Sequence, residues 1–64
     1  MSSYDGMTLN ERLGTAGLFD AWDTAGRARD EARMVEILMS VDVLEGAARE
    51  TVAIVLRDPG RYGL

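Results

Sequence analysis

Neither cysteine nor histidine occurs among the 64 residues, so this chain must fold without a disulfide and without a zinc site built on imidazole or thiolate. That absence matters because so short a domain hides only ~60% of the surface its unfolded chain exposes. Small natural domains commonly add a covalent staple, a metal or a partner subunit to a core of this size. With the first two removed, the chain relies on close packing of its own apolar side chains or on association with another chain.

Those apolar side chains recur at helical spacing. Thr8-Leu9-Asn10-Glu11 is a capping-box pattern, in which the Thr hydroxyl takes the third amide and the Glu side chain reaches back. A helix therefore starts at Leu9. At ~100° per residue, Leu9, Leu13 and Ala16 share one side, whereas Leu18, Trp22 and Ala25, flanked by Phe19 and Ala21, fall nearly opposite. Gly14 and Gly17 lie at the changeover, each costing ~1 kcal/mol against Ala inside a helix. Two forms fit: a break with Thr15 as a second N-cap, or a helix running on past a small-residue surface. A continuous or mildly kinked helix to about Arg29 is the form favoured here.

Asp30 is placed to cap a second helix, with Glu31 favourable in its first turn. Met34, Ile37, Leu38 and Val41 form its main stripe, and Ala32, Val35 and Met39 form another beside it. Together they cover an arc of roughly 220°, against the ~100° or somewhat more of a helix with one buried face. Asp42-Val43-Leu44-Glu45 repeats the capping logic and opens a third helix. Its inner face is Leu44, Ala48, Thr51, Val52 and Val55, with Ile54 and Leu56 about 100° to either side. Glu45 and Arg49 stand in the favourable i,i+4 order, worth ~0.3 kcal/mol. Asp58-Pro59-Gly60 stops the helix, since the residue before Pro avoids the α region. Tyr62 and Leu64 are then positioned to fold back over the bundle's end. The expected fold is all-α: a small three-helix bundle over residues 8–64, its first helix kinked near Gly14–Gly17, behind a flexible tail of residues 1–7.

Composition excludes much chemistry. The seven basic residues are all Arg, so no Lys, His or Cys is present to activate a Ser or Thr hydroxyl or to serve as nucleophile. Residues 20–31 begin with Asp and end with Glu like a calcium loop, but Trp22, Thr24 and Ala25 occupy the positions that need oxygen ligands and Gly. Asp20 and Asp23 share one helix side, where a solvated stripe is the simpler account of a carboxylate pair. No Gly-rich phosphate loop is present, and a chain this short leaves little room for the cleft of a carboxylate-only hydrolase. The expectation is no enzyme and no cofactor.

Eleven acidic residues against seven Arg give a net charge of −4, which argues against nucleic acid as the partner. The one local basic excess, Arg27-Ala28-Arg29 with Arg33, has Asp30 and Glu31 between its members. A segment beginning Leu44-Glu45-Gly46 is likewise poorly equipped to read base edges as the second helix of a helix-turn-helix. The longest apolar run, Val52 to Leu56, is far short of the ~20 residues of a membrane helix. The Met-Ser-Ser-Tyr-Asp start has no basic leader region, so a cytoplasmic location is the default expectation. Arg-only basicity with abundant Ala and Gly hints at a GC-rich bacterial source.

What remains is apolar surface wrapping too far around the helices for one short chain to cover. It points to a non-catalytic helical subunit that binds a protein partner or itself. Trp22, Val35, Met39, Ile54 and Leu56 are the candidate contact residues. A small acidic inhibitor or decoy of the phage anti-defence type, laid in a basic protein groove, is the alternative. A helix-turn-helix-like regulator ranks last.

Overall fold

The computed structural model describes residues 4–64, and its first helix, α1 (Leu9–Ala16), begins where Thr8 and Glu11 direct. The Thr8 hydroxyl accepts the Glu11 amide at 3.2 Å, and the Glu11 carboxylate accepts the Thr8 amide at 3.2 Å. Of the expected tail, residues 1–3 lie outside the described residues. The remainder is a turn in which the Met7 amide donates to the Tyr4 carbonyl at 3.1 Å.

The helix does not continue to Arg29. It stops after eight residues at Gly17, whose φ of 69° is left-handed. The Leu18 amide donates back to the Leu13 carbonyl at 2.8 Å and the Gly17 amide to the Gly14 carbonyl at 3.2 Å. This crossed pair is the Schellman way of satisfying a helix's last carbonyls. A new helix, α2 (Phe19–Arg27), then starts from Leu18, with no side-chain cap; Thr15 stays inside α1. The expected three helices are therefore four among the described residues, though the all-α class stands. The cause is the phase change already visible in the apolar pattern. A straight helix would have pointed Leu13 and Trp22 in opposite directions, whereas the left-handed step turns both into one core.

The same hydrogen-bond pair ends α2, α3 (Glu31–Ser40) and the last turn, whereas α4 (Glu45–Arg57) runs out through Asp58, at φ −145°, ahead of Pro59. After α2, the Asp30 amide reaches the Ala25 carbonyl at 2.9 Å and the Arg29 amide reaches Gly26 at 3.1 Å, with Arg29 left-handed at φ 55°. After α3, the Val43 amide reaches Leu38 at 3.1 Å and the Asp42 amide reaches Met39 at 3.2 Å, with Asp42 at φ 66°. Finally a 3₁₀ turn, Pro59–Tyr62, closes with Leu64 bonded to Pro59 at 3.0 Å and Gly63 at φ 79°. Leu18, Val43 and Leu64, each just past a left-handed residue, all pack against the core, as this motif favours.

Asp30 caps α3 as its sequence implies, accepting the Arg33 amide at 3.1 Å. Asp42 does not cap α4: its backbone is committed to ending α3, and Leu44 occupies the cap position without a side-chain bond. α3 is the central element, packed against both α2 and α4, and Met34, Ile37, Leu38 and Val41 at its heart are fully enclosed. Helices of eight to thirteen residues are marginal alone, so this shared core is what holds them. Glu45 and Arg49 form the expected surface pair at 3.0 Å.

Two tertiary contacts fix the ends. Arg12 on α1 donates Nη1 to the Val41 carbonyl at 3.1 Å and Nε to the Met7 carbonyl at 3.2 Å, setting a cation at the negative end of α3. At the other end, Leu64 lies over Gly26 so closely that a Cβ there would sit 2.4 Å from its Cδ1. Of the two side chains expected to fold back, Leu64 is seated and Tyr62 stays half exposed.

Opposite signs are expected at two helix ends: Gly17→Ala destabilises by about 1 kcal/mol, and Arg29→Gly stabilises by up to about 1 kcal/mol, both read by urea unfolding. Arg12→Ala removes charged hydrogen bonds to partly buried carbonyls and should cost about 1.5 kcal/mol in the same measurement. Gly26 and Leu64 are coupled. In a Leu64→Ala background Gly26→Ala should stabilise by about 0.5–1 kcal/mol through helix propensity, whereas with Leu64 present it gives no gain. An additive cycle would show that the two do not touch.

Candidate binding cleft

Shortening α1 leaves a space that a continuous helix would not have made. Leu9 and Leu13 on α1, Trp22 on α2 and Val55 on α4 form the floor of a cleft of about 590 Å³. Ile54 and Tyr62 form its apolar rim and remain 46% and 45% exposed. Thr8, Asn10 and Thr51 supply neutral polar edges, and Arg61 on the 3₁₀ turn supplies the one charge among the described residues. The C-terminal turn stands as a wall because Leu64, two residues beyond Tyr62, is seated against α2.

The five candidate contact residues are not gathered in one place. Trp22 and Ile54 line this cleft together, but Trp22 is only 7% exposed and belongs to the core, showing part of its surface to the cleft floor. Val35 is buried at 8%, because α4 lies across that side of α3 and brings Val52 beside it. Leu56 is half buried and packs against the core. Met39 stays open at 45% outside the cleft, and Leu44, at the start of α4, is 81% exposed. Val35 shows only a small part of its surface, in a hollow between α3 and α4 that it lines with Glu31, Ala32, Arg49 and Val52.

Three members of the cleft carried little sequence signal. Leu9 and Leu13 read only as one side of the first helix, and Arg61 only as one of seven arginines. Only the placement of Pro59–Gly60 near the chain's end suggested that residues 61–64 turn back at all.

Elsewhere two members of the basic cluster are engaged locally. Arg33 pairs with Glu36 at 2.6 Å, and Arg29 Nη1 lies 3.4 Å from the Leu56 carbonyl near the end of α4, which divides the basic cluster between two neighbours. The span once resembling a calcium loop is α2, its turn and the first residue of α3. Asp20 and Asp30 border a shallow hollow of about 350 Å³ beside Arg33. Among the described residues no three acidic side chains converge as a metal site, and no helix is long and apolar enough to cross a membrane.

No family model, curated protein or solved structure matches the chain.

Proposed function

We propose that this chain is a non-catalytic protein-interaction subunit that binds another polypeptide through the cleft between α1, α4 and the C-terminal turn. The observation that carries the reading is the continuity of apolar surface there. Single exposed apolar side chains are ordinary on soluble proteins. Ile54 and Tyr62, however, adjoin Leu9, Leu13, Trp22 and Val55 in one concave surface. Burying a large apolar side chain is worth ~1.5–3 kcal/mol, a sizeable fraction of a small domain's stability. Binding would thus add to folding as well as to recognition. Lack of Lys, His and Cys supports the non-catalytic part of the reading, since the usual nucleophiles and bases are missing.

The test is capture of partner from the native cell by wild-type chain and by Ile54→Glu, with helical content checked by circular dichroism. An apolar interface predicts that capture survives ~1 M salt, where the screening length is ~3 Å, and is lost with Ile54→Glu. Capture that ignores Ile54→Glu and disappears in salt would instead favour an acidic face as the contact surface.

A further inference from the structure

Resting on the reading of this cleft as a protein-binding site, we infer that its occupant is a partner segment carrying a few apolar side chains beside an Asp or Glu, with the carboxylate meeting Arg61. Charge is the first ground. Eleven Asp and Glu side chains are spread over this chain, yet none lines the cleft, and the one charged lining residue among the described residues is a guanidinium. Among the described residues no hydrogen bond or ion pair engages the side chains of Arg27, Arg57 or Arg61, and of these three only Arg61 lines the cleft. A planar guanidinium at an apolar edge is well suited to a carboxylate, which it can grip through two parallel bonds. A partner cation would gain nothing there.

Shape is the second ground. Small ligands are held by enclosure, with 70–90% or more of their surface buried. Here the floor is covered but both apolar rim residues remain nearly half exposed, and Thr8, Asn10 and Arg61 are open to solvent. A trough of this kind suits side chains projecting from a backbone whose other face stays in water, the mode of a short amphipathic segment in a groove.

Random peptides displayed on phage, panned against the immobilised full chain, supply the test. Enriched peptides are then synthesised and titrated into the chain, with the fluorescence of Trp22, its sole tryptophan, reporting from the cleft floor. The expected winners pair apolar residues with a nearby Asp or Glu. Arg61→Gln should weaken them about two- to fivefold, as for an exposed ion pair, and Arg61→Glu further. Ile54→Glu should cost about tenfold or more, and Met39→Glu should change nothing. Each variant must keep wild-type helical content and Trp22 emission in the absence of peptide.

Winners without acidic residues, or binding indifferent to Arg61→Glu, overturn the inference. Dependence on Met39 or Leu44 in place of Ile54 also overturns it, while leaving an interaction role at a different surface. Self-association abolished by Ile54→Glu assigns the cleft to a second copy of the chain. No enriched peptide at all means that the cleft receives none, and the inference fails outright.

Discussion

The left-handed residue that follows every helical segment except α4 is the constraint on which this fold depends. Gly17, Arg29, Asp42 and Gly63 each reverse the backbone locally, and each is flanked by the same two back-donated hydrogen bonds. These bonds satisfy carbonyls that would otherwise be orphaned at a helix's end. They also allow a 64-residue chain to be cut into short rods that pack at angles around α3. Two of the four positions are Gly, for which the conformation is nearly free; at Arg29 and Asp42 the surrounding packing must hold it in place.

Core and cleft are both consequences of the first of these reversals. With α1 stopped at Ala16, Leu13 and Trp22 converge from different helices onto Met34, Ile37 and Leu38. The α1–α2 corner is sealed from outside by Phe19, whose ring edge would lie 3.1 Å from a Cβ on Gly14. Residues of α1, α4 and the returning C-terminal turn then line the gap between them. The cleft is therefore a by-product of how the core closes. Its apolar floor is the outer surface of core residues, so occupancy and core stability are physically linked through Trp22, Leu13 and Val55.

That linkage bears on how such a small protein could work. Its core is limited by length, and nothing covalent reinforces it. An occupant would cover the apolar rim, brace the C-terminal turn and stabilise the folded state by mass action. Arg12 ties the start of α1, which lines the cleft, to the end of α3. The wall carrying Arg61 and Tyr62 is anchored by Leu64.

Local chemistry made the helix starts at Thr8 and Asp30 legible, because a side chain three residues from its acceptor amide needs no tertiary help. The all-helical class and the central stripe Met34, Ile37, Leu38 and Val41 were legible for a similar reason: their spacing matches one helical face. The apolar phase change near Gly17 was visible too, but its outcome was not. A kink and a break satisfy the same pattern, and only the convergence of Leu13 and Trp22 on one core decides between them. Asp42 looked like a cap until its backbone was needed to end α3, and Arg29 gave no sign of a left-handed turn. Val35 and Met39 were indistinguishable on a helical wheel; α4 lies over one and not the other. Periodicity fixes which faces are apolar, whereas the angle at which short helices meet determines which of those faces remain open.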